Sequence, residues 1–281
     1  MSRALWALPA LFLLTTIAQA ADPAADEALK KERRKIEGLW RGVTLEIDGK
    51  KSPDADARAL SILNSPDGKW VLRSDGADVL KGATVFDPTQ KPKTIDFTAG
   101  DGGNADEQYL GIYELEDNTR RLCFAPKHRG RPTTFATTAG SDQILVTFER
   151  DAEDALKRDR RRLEGIWQVV GVEVDGNKAG DDDAKKLKII FGADGTWSLN
   201  SEDREVSQGT SLIAPLKKPS TIDFTVTLGN DVGKQFPGIY EVDEDSLKIC
   251  AATTGIDHPA DFTSPAGKQW ILIQLKREPK K

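Results

Sequence analysis

The sequence predicts an all-β protein made of two tandem copies of one domain, each a barrel or sandwich of eight or nine short strands preceded by a short helix. Three observations lead to this prediction. Landmark residues recur at a constant offset, short apolar runs alternate with turn residues, and a charged, helix-forming segment opens each copy. The 281 residues are 38% hydrophobic and 30% charged, which is typical of a globular protein with two domains.

The first residues predict an export signal. Arg3 precedes an apolar run over residues 4–17, and Ala18-Gln19-Ala20 has the small-x-small pattern of a cleavage site. We interpret residues 1–20 as a signal peptide cleaved near Ala20, so that the protein is exported to the periplasm or the cell exterior. A membrane anchor is the alternative, but the run is shorter than the ~20 residues of a spanning helix, and no stable transmembrane span is predicted.

The repeat determines the domain organisation. Trp40 returns 127 residues later as Trp167, and the other landmarks keep the same offset, so the copies align without a gap. The paired landmarks are Trp40 and Trp167, Trp70 and Trp197, Phe97 and Phe224, Tyr113 and Tyr240, Cys123 and Cys250, and Arg150 and Arg277. The predicted domains are residues 21–150 and 151–281.

A helix-forming segment opens each copy, at residues 28–36 and 155–163. In the first segment Leu29 and Ile36 lie seven positions apart and therefore on one helix face, while the remaining faces are charged. The basic side is either solvated or attracts an anionic surface. The pattern predicts a short helix with one apolar stripe.

The strands come next, and the two copies together indicate which side chains face inward. Trp70 is kept as Trp197 in the second copy, whereas its neighbour Val71 becomes Ser198. Because side chains alternate between the two faces of a strand, the position that stays apolar belongs to the core. We therefore expect both tryptophans to point inward.

The later strands follow the same alternation. Phe97 and Tyr113 are predicted to face inward, and Asp96, beside Phe97, is predicted to face outward. Strands are also predicted at residues 133–137 and 260–264. A buried phenol needs a hydrogen-bond partner, which for Tyr113 is either a ligand or a backbone carbonyl.

The ends of each copy resemble the structural signature of lipocalins and the wider calycin group. That signature is a Gly-x-Trp on the first strand, a short helix before it and a basic residue leaving the last strand. The resemblance implies lipocalin-like up-and-down antiparallel β-barrels of about eight strands, in which the tryptophan packs at the closed end and the basic residue lies across it. The matching residues are Gly38, Trp40 and Arg150 in the first copy and Gly165, Trp167 and Arg277 in the second.

The whole repeat resembles an uncharacterised exported domain that is expanded in planctomycete bacteria. The matching phrases are Glu-Gly-x-Trp from Glu37, Lys-Pro-x-Thr-Ile-Asp from Lys91, Gly-Ile-Tyr-Glu from Gly111 and Leu-Cys-Phe-Ala-Pro from Leu122. The second copy departs from the last phrase. This resemblance implies no activity, substrate or site.

Composition and motifs disfavour several functional classes. The net charge of −5 argues against nucleic acid as a partner, since binding to phosphates needs a basic surface. The two histidines, His128 and His258, are not at equivalent positions, and no nucleophile, phosphate-loop or metalloprotease motif is present. No catalytic residue, metal ligand or cofactor is predicted. Repeated carboxylates such as Asp96 and Asp223 keep an enzyme open, but the alternation turns them outward.

The two cysteines, Cys123 and Cys250, occupy equivalent positions in the two copies. Export permits a disulfide, but equivalent positions in separate domains usually lie too far apart for one. We expect two free, partly buried thiols.

Two functions remain open. The first is binding of a small apolar or lipid-like ligand inside each barrel, because eight-stranded barrels either fill with their own side chains or hold one small ligand. The second is a structural or protein-interaction module of the cell envelope, with an envelope protein as partner. The candidate ligand-binding residues are Trp70, Phe97 and Tyr113 in the first copy and Trp197, Phe224 and Tyr240 in the second.

Overall fold

The computed structural model describes residues 23–100 and 107–279. The predicted signal peptide, residues 1–20, lies outside the described residues. The described chain forms two nine-stranded antiparallel sheets, one from each copy, and a helix precedes each sheet. Across the described residues, none of the helices combines the length and apolar character that a membrane crossing requires.

The elements of the first copy run from residue 23 to residue 150. They are α1 (Pro23–Ile36), β1 (Gly38–Ile47), β2 (Lys50–Lys51), α2 (Asp54–Ala59), β3 (Leu60–Asn64), β4 (Lys69–Ser74), β5 (Ala77–Asp87), β6 (Lys93–Ala99), β7 (Gln108–Glu116), β8 (Thr119–Pro126), a single 3₁₀ turn (Lys127–Arg129) and β9 (Ile144–Arg150).

The second copy repeats this order. Its elements are α3 (Ala152–Leu163), β10 (Gly165–Val174), β11 (Asn177–Lys178), α4 (Asp181–Ala184), β12 (Leu187–Phe191), β13 (Thr196–Ser201), β14 (Arg204–Ala214), β15 (Thr221–Leu228), β16 (Gln235–Val242), β17 (Ser246–Ala252) and β18 (Trp270–Arg277).

Each sheet closes on itself. In the first copy neighbouring strands pair in chain order from β3 to β9, and β1 pairs with both β3 and β9, so that Trp40 stands opposite Arg150. The second copy closes in the same way, with Trp167 opposite Arg277. β2 and β11 are two-residue extensions beside β1 and β10, which leaves eight strands around each barrel. The predicted fold class, two eight-stranded antiparallel barrels that each follow a short helix, is confirmed.

Two predicted strands are wrong. Residues 133–137 and 260–264 form bends and loops without ladder pairing. Pro132 precedes the first segment, and Pro259 and Pro265 flank the second. Proline has no amide hydrogen to donate to a neighbouring strand, so such segments fit poorly inside a sheet. They run instead as a loop before the last strand of each barrel.

These loops bury the two cysteines. The Sγ of Cys123 lies 3.6 Å from the carbonyl oxygen of Ala136, and that of Cys250 lies 3.2 Å from the carbonyl oxygen of Thr263. Both thiols are free, as predicted, but the cysteines are fully buried and not partly so. Burial raises the pKa of the Cys123 thiol, and it raises the pKa of the Cys250 thiol to about 11.

Alkylation should report this burial. Because only the thiolate reacts, we expect iodoacetamide at pH 8 to label Cys250 in the native protein on the order of 100-fold more slowly than in the urea-unfolded chain. A Cys123→Ser variant isolates the signal of Cys250, which mass spectrometry can follow over time. Equal rates in the two conditions would contradict the buried position of the thiol.

The helix α3 joins the two barrels. At its N-terminus the Asp151 side chain accepts a hydrogen bond from the Asp154 amide at 2.7 Å, and Asp154 Oδ2 accepts one from the Leu39 amide of β1 at 2.9 Å. Farther along, Arg158 Nη1 donates to the Glu37 carbonyl at 2.6 Å. The helix that precedes the second barrel is therefore also fixed to the start of the first.

Candidate ligand-binding site

One end of each barrel is closed by a tryptophan and the helix before it. Trp40 is fully buried, and its Nε1 donates to the Ile36 carbonyl at 2.7 Å. The guanidinium of Arg150 lies 4.2 Å from the centroid of the Trp40 ring, a cation–π distance, and its Nη1 donates to the Glu37 carbonyl at 2.9 Å. Arg150 therefore ties the last strand to the ring and to the end of α1.

The second barrel repeats this closure. Trp167 Nε1 donates to the Leu163 carbonyl at 2.7 Å, and the Arg277 guanidinium lies 4.1 Å from the Trp167 ring centroid. Arg277 Nη1 donates to the Glu164 carbonyl at 2.7 Å. A ligand would have to enter either barrel from the opposite end.

Each inward-facing tyrosine donates a hydrogen bond to a carboxylate of the helix that precedes its barrel. The Tyr113 hydroxyl donates to Glu32 Oε1 of α1 at 3.0 Å, and Lys93 Nζ donates to the same oxygen at 2.6 Å. In the second barrel the Tyr240 hydroxyl donates to Asp159 Oδ2 of α3 at 2.8 Å. The partner expected from the sequence was a ligand or a backbone carbonyl, and these carboxylates were not predicted. The signal was present, because Glu32 and Asp159 are themselves 127 residues apart.

Alkaline titration should reveal these pairs. Burial, followed by the charge of the neighbouring carboxylate, raises the pKa of Tyr113 and of Tyr240. Above about pH 10 the tyrosines of the unfolded chain ionise while those of the folded chain stay protonated, so the free energy of unfolding falls as pH rises. Urea midpoints at pH 8, 9.5 and 11 should fall less for a Tyr113→Phe, Tyr240→Phe variant than for the wild type. An equal fall of the urea midpoint with pH in the wild type and in the variant would contradict the burial of the two tyrosines beside carboxylates.

The first barrel contains an apolar cavity of about 280 Å³, lined by fifteen hydrophobic residues. All eight long strands contribute to the lining. Trp70 and Phe97 are among the lining residues, and their rings meet edge to face with centroids 6.0 Å apart. Tyr113 is not among them, since its hydroxyl is bonded to α1.

The cavity extends away from the closed end. Ile62, the cross-strand partner of Trp40, and Phe148, two positions before Arg150, line its deep part. Ile47 and Ile144 line it at the far ends of β1 and β9. Ile47 is 43% exposed, so the far end reaches solvent. This places the entrance opposite Trp40.

The second barrel brings two of its three candidate residues together. The rings of Trp197 and Phe224 meet edge to face at 5.5 Å, and Phe191 adds a third ring 6.3 Å from Phe224. Trp197 Nε1 donates to the Thr210 carbonyl at 3.0 Å. Tyr240, like Tyr113, is directed to the helix.

A buried arginine distinguishes the interior of the first barrel. Arg120 is 1% exposed, and its guanidinium lies 5.0 Å from the Trp40 ring centroid and 5.4 Å from that of Phe148. Its Nη1 donates to Asn64 Oδ1 at 3.3 Å, while Nε, Nη2 and the amide nitrogen of Asn64 are buried without a partner. Burial lowers the pKa of Arg120 to about 9, so the group is charged at neutral pH.

Arg120 was not predicted from the sequence as a functional residue. The equivalent residue of the second copy is Leu247, and Phe191 stands in the place of Asn64. Arg120 shares the inward side of β8 with Leu122, which lines the cavity. An arginine in one copy and a leucine in the other, at a position that strand alternation turns inward, was the available signal.

The repeated carboxylates form surface pairs. Asp96 pairs with Arg131 at 2.6 Å, and Asp223 pairs with His258 at 2.7 Å. Both aspartates are more than one third exposed. They face outward, as the alternation predicted, and are separated from the barrel interior by the sheet.

Comparison with known proteins gives little further information. No protein-family model matches the chain, and no curated protein matches it. One similar solved structure is a protein of unknown function from the DUF3598 family of Nostoc punctiforme, with 11% identity and a TM-score of 0.24 over 89% of this chain and 99% of that one. Another is a mutant of the vaccine antigen Transferrin Binding Protein B from Haemophilus parasuis, with 10% identity and a TM-score of 0.22 over 83% of this chain and 68% of that one. At these TM-scores neither likeness bears on function.

Proposed function

We propose that this protein is exported and that its first barrel binds a small apolar or lipid-like ligand. The observation that supports the proposal is the cavity of about 280 Å³ with fifteen hydrophobic lining residues and an end that reaches solvent. Apolar cavities hold water poorly and accept apolar guests. The volume lies just below the range for drug-sized ligand pockets, about 300–1,000 Å³, which fits a small ligand.

The size of the cavity sets the expected affinity. Burying a methylene group contributes ~0.8 kcal/mol, so a chain of about ten carbons gains roughly 8 kcal/mol if most of it is enclosed. Loss of translational and rotational freedom offsets part of this gain. We therefore expect a dissociation constant in the micromolar range or weaker for a saturated chain of that length.

Filling the cavity tests the proposal. Ala99 lines the cavity and is buried, and Ala99→Leu adds three carbons to the space that a ligand would occupy. The matched control is Val226→Leu at the equivalent position of the second barrel. Calorimetric titration with 1-decanol should show binding to the wild type and to the control, and at least tenfold weaker binding to Ala99→Leu. Unchanged affinity of Ala99→Leu, or no binding of 1-decanol to the wild type, would refute the proposal.

Export is part of the same proposal. Cleavage near Ala20 predicts a mature chain that begins at Ala21, with residues 21–150 and 151–281 as its two domains. The intact mass of protein recovered from the periplasm or the medium would decide this. A mass that includes residues 1–20 would contradict export by cleavage.

A protein-interaction role is the second candidate, and repeated apolar surface residues favour it. Val85 on β5 is 69% exposed, and Leu212, its equivalent on β14, is 74% exposed. Contiguous exposed apolar residues mark contact surfaces, and Leu212 lines one surface depression together with Leu156, which is 39% exposed. Under this alternative Val85→Ser, Leu212→Ser would release the protein from the cell-envelope fraction without affecting its binding of 1-decanol.

A further inference from the structure

We infer that the ligand of the first barrel is an amphiphile whose anionic end, a carboxylate, pairs with Arg120. The inference rests on the proposed function and specifies the chemical class of the ligand. It depends on the unpaired donors of a buried guanidinium and on their place beside the cavity.

Two of the three guanidinium nitrogens of Arg120, Nε and Nη2, have no hydrogen-bond acceptor. A guanidinium carries five N–H groups, and burying such a cation without acceptors for them is strongly unfavourable. In the described part of the chain Arg120 takes part in no ion pair, and its hydrogen bond goes to the neutral Asn64. After burial, the like charge of Arg150 has the largest effect, and it also lowers the pKa of Arg120.

The free nitrogens have the geometry that a carboxylate needs. Nε and Nη2 of Arg120, the two without a partner, form one edge of the guanidinium with roughly parallel N–H bonds. A carboxylate accepts two such bonds at once, which is the strongest common pairing of arginine. The amide nitrogen of Asn64 is also unpartnered and supplies a further donor in the same cluster.

This cluster lies next to residues that line the deep end of the cavity, although Arg120 and Asn64 are not themselves among the lining residues. The Arg120 guanidinium packs against the ring of Phe148, which lines the cavity, and Leu122 and Ile62 line it two positions from Arg120 and Asn64 along their strands. An amphiphile would place its carboxylate beside Arg120 and extend its chain toward Ile47. The apolar wall and the cationic end then match the two parts of one molecule.

The second barrel serves as an internal contrast. Leu247 and Phe191 replace Arg120 and Asn64, and both are buried. At these two positions the second barrel therefore offers no cation for an anionic end. Any preference for carboxylates should arise from the first barrel alone.

The test compares three probes of one chain length: decanoate, 1-decanol and decylammonium. Charged hydrogen bonds contribute more than neutral ones, so at pH 7.5 the wild type should bind decanoate at least about tenfold more tightly than 1-decanol. Decylammonium should bind more weakly than 1-decanol. In Arg120→Leu, which introduces the residue of the second copy, the preference for decanoate should disappear while 1-decanol still binds.

The outcomes separate the inference from the proposed function. Wild-type protein that binds none of the probes would refute both. Binding of 1-decanol with equal or weaker binding of decanoate would overturn the inference and leave the proposed function in place. If Arg120→Leu does not fold, the three probes are compared on the wild type and on Arg120→Lys, which keeps the charge. Both proteins should then bind decanoate more tightly than 1-decanol and decylammonium most weakly, and any other order in the wild type would overturn the inference. A preference that survives in folded Arg120→Leu would also overturn it.

Discussion

Replacement of Trp40 by alanine is expected to lower the free energy of unfolding of the first barrel by about 3–5 kcal/mol, the usual cost of removing a buried tryptophan. The ring is fully buried, and two guanidiniums lie near its centroid, that of Arg120 at 5.0 Å and that of Arg150 at 4.2 Å. Its Nε1 also donates a hydrogen bond to the carbonyl oxygen of Ile36, the last residue of α1. The substitution removes core volume, both cation–π contacts and a hydrogen bond to the helix.

Hydrogen exchange measured by mass spectrometry resolves this effect, because it reports the two barrels separately. Trp40→Ala should accelerate exchange in β1 and β9, whereas Trp167→Ala should act on β10 and β18. Each variant is the control for the other. If Trp40→Ala abolished ligand binding while exchange and melting stayed as in the wild type, the residue would be part of the binding site and not of the closure.

The fold was predictable because the chain carries two copies of it. A constant offset of 127 residues made each copy a test of the other, and strand alternation then placed Trp70 and Phe97 inward. The prediction failed for residues 133–137, where β-branched and aromatic residues favour a strand but follow a proline. Strand propensity reports the preference of single residues, whereas ladder pairing also needs a neighbouring strand with free backbone groups, and Phe135 is only half-buried here.

The polar partners inside the barrels were harder to predict. Tyr113 and Glu32 are 81 residues apart, and Arg120 and Asn64 are 56 residues apart, so these contacts arise only when the barrel closes. A charged residue on a strand is normally assigned to the solvent side. Arg120 breaks that rule, and residues that break a local rule are most often found at functional sites.

The buried position of Arg120 leads to the other large expected effect, which concerns the stability of the first barrel. Replacing Arg120 and Asn64 by Leu and Phe, the residues of the second copy, should raise the free energy of unfolding of the first barrel by about 1–4 kcal/mol. Apolar replacement of buried ionic groups commonly has this sign and size. Urea unfolding followed by tryptophan fluorescence would measure it, alongside loss of the preference for decanoate.

The reciprocal variant supplies the control. Leu247→Arg places an unpaired guanidinium in the second barrel, where Phe191 offers no acceptor, and should lower its stability by about 3–5 kcal/mol. If Arg120 served only to pack against Trp40 and Phe148, its removal would destabilise the first barrel. A gain in stability together with loss of carboxylate recognition would instead mean that the first barrel keeps Arg120 for its ligand, since sites built for binding are often less stable than the fold allows.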